Sequence, residues 1–378
     1  MSESELIYLL ALQRIPNIGD VTAKKLVHHF GSAKAIFETK KSKIMAVEGI
    51  GERTAALLDF SSYEREVMQE LEFINTADIK VKYFQDNDYP QRLKHCIDAP
   101  ILLFEKGTID LQQKKIISIV GTRKATTHGT AFCEQLIEDL APLNPVIVSG
   151  FAYGIDICAH KAALANNLQT IGCMAHGLNQ IYPKAHKKYE KEVLKNGGFI
   201  SDFRSDKTFD RKNFLKRNRI IAGLSEATIV IESAEKGGSL VTADIANSYN
   251  REVFALPGRP TDILSKGCNE LIKHQKAQMI TSATDLIFYL GWELEPQQPK
   301  QTQLFVELSP EEEKVLSQLK DLGKTELDVL ALACQMPTFE ITTYLLNLEL
   351  NGSSFLKECN KPKLEFYQIS KDVNKPTN

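Results

Sequence analysis

The sequence predicts an α/β protein built on a doubly wound, mostly parallel sheet, with a helical domain before it and a small mixed domain after it. Three observations carry this expectation. Between about residues 80 and 292, six short β-branched runs alternate with helical stretches. Two glycine-turn helical repeats precede them, and three helical stretches and a candidate strand pair follow a Gln- and Pro-rich break. Near-continuous apolar strands suit a parallel sheet covered on both faces, and repeated strand–helix alternation winds such a sheet in the extended Rossmann-like manner.

The first domain, residues 1–75, holds "IPNIGDVTAKKLVHHFGS" and "VEGIGERTAALLDF". In each copy a glycine (Gly19, Gly51) permits a tight turn and then a helix opens, the outline of a helix-hairpin-helix. The exposed N–H groups at such a helix start can hold a phosphate. Ordinary helical hairpins fit the same pattern, and the neighbouring cations Lys24, Lys25 and Arg53 are sparse.

The second domain, residues 76–292, supplies the strand candidates "KIISIVG" (115–121), "PVIVSG" (145–150), "QTIGCMA" (169–175), "GFISDF" (198–203), "ATIVIES" (227–233) and "REVFALPG" (251–258). "HGTAFCEQLIEDLAP" and "GIDICAHKAALANN" are helix candidates between them. Residues 293–309 lack periodicity and read as a linker. Residues 310–378 offer three helices and a candidate β-ribbon, the outline of a winged helix. Its presumed recognition helix, "TFEITTYLLNLELN", carries Glu340 and Glu349 but no Lys or Arg, which favours a docking module over a phosphate-neutralising face.

Composition narrows the function classes. The chain has 378 residues, 43% of them hydrophobic and 25% charged, with a formal net charge of −2. That balance excludes a polycation, so any nucleic-acid contact must come from local patches. The seven cysteines form no CxxC pair and read as reduced thiols, pointing to a cytoplasmic protein. The N-terminal run has no cleavage signal and no stretch reaches eighteen apolar residues, so neither secretion nor a membrane span is expected.

In a parallel α/β sheet, ligands gather where strands end. The first exit, "ISIVGTRKATTHG", is not GxGxxG, and the next strand ends without an acidic residue for a ribose hydroxyl. There is no GxxxxGK[ST] either, and no cofactor or metal is expected. Gly121, Thr122 and Arg123 instead make a small-residue turn with one fixed cation, suited to a phosphate passing by. At the second exit Ser149, Gly150, Phe151 and Ala152 allow close backbone approach, and Asp156 is a candidate helix cap or base. At the third, Lys184 follows the "YP" turn and is the best ligand candidate among several exposed lysines.

Residues 209–219 concentrate charge. Arg211, Lys212, Lys216, Arg217 and Arg219 precede a buried-looking run, and Phe214 lies three residues from both Arg211 and Arg217. Aromatic stacking beside phosphate-binding cations suits single-stranded nucleic acid. The competing expectation is that Phe214 plugs the core while Arg217 or Arg219 makes buried pairs. Further on, "EKGGSLVTA" places Gly237, Gly238, Ser239 and Thr242 at a helix start, where they would donate to a phosphate.

Together, "VGTRKATTHG", "VSGFAYGIDICAHKAAL", "GLNQIYP", "FLKRNRIIAGLSEATIVIESAEKGGSLVTA", "VFALPG" and "GCNELI" resemble the DNA-processing protein A family, DprA or Smf, from about residue 88 to residue 288. The resemblance implies a single-stranded DNA-binding protein that protects incoming DNA during natural transformation and helps load the RecA recombinase. It also implies a homodimer formed through the Rossmann-like domain and no known catalysis. By position, the family's pocket falls on Gly121, Thr122, Arg123, Ser149, Gly150, Phe151, Ala152, Lys184, Arg211, Phe214, Arg217, Asn218 and Arg219. Thr122 stands where serine is more usual, and Asp202 where glutamate is. Two enzyme readings compete: a nucleotide phosphoribohydrolase using Glu232 or Asp156 as base, and a nuclease using Asp202, Asp206 and Asp210. The last three sit among cations, so charge balance explains them better.

Overall fold

The computed structural model describes residues 1–112, 115–292, 308–323, 325–350, 355–356 and 367–368. Two compact units divide it, Met1–Leu294 and Glu295–Asn378.

The first unit begins with six helices, α1 (Glu3–Leu12), α2 (Asp20–Phe30), α3 (Ala33–Glu38), α4 (Lys41–Met45), α5 (Glu52–Ala56) and α6 (Glu64–Thr76). Ser2 and Ser32 cap α1 and α3 with side-chain oxygens, whereas the glycine turns at Gly19 and Gly51 leave α2 and α5 without a side-chain cap. Leu9, Leu10, Leu26, Ile36 and Val67 are buried in one core that continues onto one face of the sheet. The expected domain of residues 1–75 thus packs into the same unit as the strands.

The nine-stranded sheet follows: β1 (Lys80–Tyr83), β2 (Leu102–Gly107), β3 (Ile116–Gly121), β4 (Val146–Ser149), β5 (Thr170–Cys173), β6 (Gly197–Ser201), β7 (Ala227–Ile231), β8 (Glu252–Ala255) and β9 (Gln278–Met279). Their order is β1-β2-β6-β5-β4-β3-β7-β8-β9. All neighbours from β6 to β9 are parallel, while β1 and β2 pair antiparallel with each other and β2 with β6. All six strand candidates are strands. The helices of this part are α7 (Gln91–Lys94), α8 (Thr127–Leu140), α9 (Ile155–Ala165), α10 (Glu190–Lys195), α11 (Lys212–Leu224), α12 (Gly238–Ser248), α13 (Lys266–Lys273) and α14 (Ala283–Leu290). Alternation along β3 shows the two covered faces. Ile117 and Ile119 join the core under α8, α9 and α14, whereas Ile116 and Val120 join the core under α11 and α12. The chain winds outward from β3 to β6, then returns to lay β7 against the other side of β3. A crevice opens at such a reversal, outside the carboxyl ends of the strands.

Polar ties dock the N-terminal helices onto the sheet. Asp20 accepts the Ile101 N–H at 2.8 Å, and Lys24 donates to the Ile97 carbonyl at 3.0 Å. Glu70, itself buried, accepts the Ser205 N–H and hydroxyl, and Arg14 pairs with Asp206 at 3.0 Å. The first glycine turn therefore faces the sheet through Asp20.

Within β2, Glu105 is 2% exposed and one of its oxygens has no partner among the described residues. Burial pushes its carboxyl up to about 7, although Lys82, 3.8 Å away, pulls it down. A folded-state value above the unfolded one means the native state holds the proton more tightly. Stability from this group is therefore full below the ordinary carboxylate range and lost as pH rises through about 7. Glu105→Gln is expected to flatten the fall of the urea midpoint across that window; parallel wild-type and variant profiles would contradict this.

The second unit has α15 (Pro310–Leu322), α16 (Leu327–Cys334) and α17 (Thr338–Leu350) around Val315, Leu319, Leu330, Ile341 and Leu345. Ser309 and Glu312 form a capping box with Pro310 at the first helical position of α15. The antiparallel pair β10 (Phe355–Leu356) and β11 (Tyr367–Gln368) follows. Most of the expected linker and the remainder of the ribbon lie outside the described residues, as does Cys359. The six described cysteines are free and buried. No single described helix is long and apolar enough to cross a membrane.

Candidate functional site

A pocket of about 300 Å³ lies at the reversal, where β3, β4 and β7 end. The β3 exit contributes Gly121, Thr122 and Arg123, the β4 exit Ala152, and the β7 exit Ser233 and Ala234. Phe214, Leu215, Arg217, Asn218 and Ile221 enter from successive turns of α11 along one broad face. Gly237, Gly238, Ser239 and Thr242 close the wall from the start of α12. No side chain caps that helix, which leaves its first N–H groups and the positive end of its dipole at the pocket wall. The exposed Arg123 guanidinium lies 5.1 Å from the Phe214 ring centroid, a cation–π distance. Asn218 donates to the Gly238 carbonyl at 3.4 Å, tying α11 to α12.

Beneath this wall is a buried charge system. Arg217, 3% exposed, donates to the Gly150 carbonyl at 2.6 Å and to the Cys173 carbonyl. Asp156 in the first turn of α9 accepts the Ala152 N–H at 3.2 Å. Burial raises the Asp156 carboxyl, and the Arg217 charge opposes that rise. Burial lowers the Arg217 guanidinium in turn, with Asp156 opposing. Gly150 is required where the two meet, because a Cβ there would stand 2.5 Å from the Asp156 carboxylate and 2.6 Å from the guanidinium. Gly154 is required too: its φ is +78° and a Cβ would strike the Thr122 backbone.

Several expected contacts need correction. Arg219 lines no part of the pocket. It pairs with Asp202 and, at 3.0 Å, with Asp20, and it donates to the Asp98 carbonyl. Arg219 falls outside the arc of α11 that lines the pocket and is turned instead to its carboxylate partners. Burial opposes the Arg219 charge, but Asp202 and Asp20 outweigh it and hold the guanidinium above the usual arginine range. Arg217 forms the pocket floor and is not a free phosphate ligand. Phe151 is fully buried with φ +63°, against Phe199 and His186. The Ser149 hydroxyl is spent on the Ile119 carbonyl at 2.6 Å. Gly150 presents its carbonyl inward to Arg217. Lys184 and Arg211 are exposed, outside the pocket lining.

The carboxylates considered for the two enzyme readings have structural employment. Glu232, at φ +54°, accepts the Thr126 N–H at 2.9 Å and its hydroxyl, fixing the residue that caps α8. Asp202 is paired with Arg219, Asp206 with Arg14 and Arg204, and Asp210 accepts the Lys212 N–H. No metal-ligating cluster occurs among the described residues.

Sequence reasoning missed Tyr182 and Phe209, whose rings approach Phe214 at 5.9 and 5.7 Å. Their signal was there: each aromatic lies two residues from a selected cation, Lys184 or Arg211.

The fold and site define a Rossmann-like α/β protein whose strand-exit pocket sets an exposed arginine against an aromatic ring. A family model for DNA recombination-mediator protein A matches residues 80–291, and one for a SAM-like helix-hairpin-helix tandem matches residues 9–58. The chain belongs to the DNA recombination-mediator protein A family. It is 33% identical over 298 residues to Protein Smf from Synechocystis sp., covering 77% of this chain and 74% of that one. The crystal structure of DNA processing protein A from Streptococcus pneumoniae superposes with a TM-score of 0.66 at 31% identity, covering 76% of this chain and 98% of that one. DNA processing protein A from Helicobacter pylori, which binds single-stranded DNA, gives a TM-score of 0.51 at 31% identity over 56% of this chain and 95% of that one.

Proposed function

We propose that this chain binds single-stranded DNA across the strand exits as a recombination mediator. The observation that carries the reading is the Arg123 guanidinium over the Phe214 ring, beside the uncapped start of α12. Cation and backbone donors suit phosphate oxygens, and the ring offers a face to a base. Lys184 and Arg211, exposed beyond the pocket, would extend the phosphate path. The backbone N–H groups of Gly238 and Ser239, at the uncapped helix start, would supply donors within it, whereas the Ser239 hydroxyl already donates to Ser233 at 2.9 Å and Thr242 is buried. Removal of the Phe214 ring is expected to weaken single-strand binding about five- to hundred-fold, by the stacking contribution of one base. Fluorescence anisotropy with single- and double-stranded oligonucleotides checks this: Phe214→Leu with full single-strand affinity, or equal wild-type affinity for both DNA forms, would defeat the reading.

The further roles the family implies, protection of incoming DNA and loading of RecA during natural transformation, are part of the same proposal. Stimulation of RecA assembly on single strands by the wild type, lost in Arg123→Ala, is the corresponding assay; equal stimulation by both would count against it. The homodimer is proposed through α14, which follows the edge strand β9 and exposes the adjacent rings of Phe288 and Tyr289 at 80% and 50%. Exposed apolar patches of this kind mark association surfaces. Phe288→Asp is expected to convert a dimer to a monomer in light scattering; a wild-type monomer would refute the dimer.

A further inference from the structure

Outside the pocket, Tyr182 and Phe209 join Phe214 in a three-ring cluster. Tyr182 and Phe209 centroids are 4.8 Å apart, and Phe214 stands 5.9 Å from the first and 5.7 Å from the second. The two loops that supply them are far apart in sequence, one after β5 and the other before α11. Phe214 is half-buried against the pocket, yet Tyr182 is 41% and Phe209 44% exposed. Rings serving only as packing would be covered, since their large apolar area favours burial. Exposed cations flank both: Lys184 lies two residues after Tyr182, and Lys207 and Arg211 lie two residues either side of Phe209. Of the acids beside Phe209, Asp206 is paired with Arg14 and Arg204 and Asp210 accepts the Lys212 N–H, so the aromatic surface keeps a net positive edge, which fits a planar group carried on an anionic backbone.

We propose that Tyr182 and Phe209 form a second base-stacking subsite, which takes the nucleobase adjacent to the one held at Phe214. The inference rests on the reading of the pocket as a single-stranded DNA site. The three rings pack tilted or edge to face, at interplanar angles of 51°, 65° and 74°, and reach from the strand exits to the protein surface, so the DNA leaves the pocket over the exposed parts of Phe209 and Tyr182. Stacking there tolerates any base, because every base has a π-face. The cations beside the rings meet the phosphates between successive bases.

The test is fluorescence anisotropy with a base-bearing oligonucleotide and an abasic strand of the same length. Phe209→Leu and Tyr182→Leu, which keep apolar bulk and remove the ring, are each expected to weaken binding of the base-bearing strand about five- to hundred-fold. Binding of the abasic strand, the salt dependence and the melting midpoint should stay at wild-type values, and Tyr182→Phe should restore affinity. Full affinity of both leucine variants for the base-bearing strand overturns the subsite. So does an equal loss on the abasic strand, which would make the rings mere supports for Phe214. A parallel Phe214→Leu measurement separates the two readings: if it alone loses affinity, the pocket stands and the subsite falls, and if all three variants bind fully, both fall. A shift in wild-type oligomeric state on removing either ring would instead assign the patch to a second copy of the chain and overturn the subsite.

Discussion

Arg217→Met unfolds the protein at a distinctly lower urea concentration than the wild type, with an expected loss of about 3–5 kcal/mol. The side chain is a buried strut from α11 to the ends of β4 and β5, donating to the Gly150 and Cys173 carbonyls. Methionine has similar bulk but leaves both carbonyls without that donor and Asp156 without its opposing cation. Such a loss is a large share of the roughly 5–15 kcal/mol that holds a typical domain folded. The raised Asp156 carboxyl gives the effect a pH signature. Without Arg217 the carboxyl rises further, so the variant's stability falls as pH rises through that carboxyl's folded value. Arg217→Met combined with Asp156→Asn is expected to recover part of the loss. A variant that keeps the wild-type midpoint while losing DNA affinity would return Arg217 to the role of a direct phosphate ligand.

Arg219→Glu has a comparable expected effect for a different reason. It places a carboxylate among Asp202, Asp20 and the Asp98 carbonyl, where a guanidinium now joins α11 to the N-terminal helices. Loss of this part-buried cation costs up to about 3–5 kcal/mol, and like-charge repulsion adds to it. The N-terminal helices should then release first, seen as faster amide exchange in α2 and early proteolysis ahead of β1. The folded fraction should keep the wild-type salt dependence of DNA binding, because Arg219 lies away from the pocket. A stable Arg219→Glu variant with a reduced salt slope would contradict this placement.

Much of the architecture was legible because six apolar runs are long and uninterrupted enough to be buried on both sides. β1 was not, since "KVKY" alternates charge with apolar residues and pairs antiparallel at the edge. β2 carries Glu105 at a buried position, which masks its apolar run. Within the site, Gly121, Thr122, Arg123, Ala152, Phe214, Asn218, Gly238, Ser239 and Thr242 gather around one pocket. The arginines of α11 were harder. Their spacing separates Arg217 from Arg219, but the sequence does not say which faces DNA, because α11 is packed by the sheet, α12 and α7 and is also tied to α2 through Asp20. Phe151 was misplaced for a related reason. Its left-handed backbone turns the ring into the core, a conformation that the neighbouring glycines disguise. Tyr182 and Phe209 reach Phe214 only through tertiary folding.

Single-strand binding across the strand exits requires one exposed guanidinium, that of Arg123, to meet a phosphate at the end of β3. The dependence of single-strand affinity on salt concentration, compared between wild type and Arg123→Ala, tests this most directly. Loss of one phosphate contact should lower the affinity and reduce the slope of log K against log salt by about 0.7, with the melting midpoint unchanged. An Arg123→Ala protein with the wild-type affinity and the wild-type slope would contradict it.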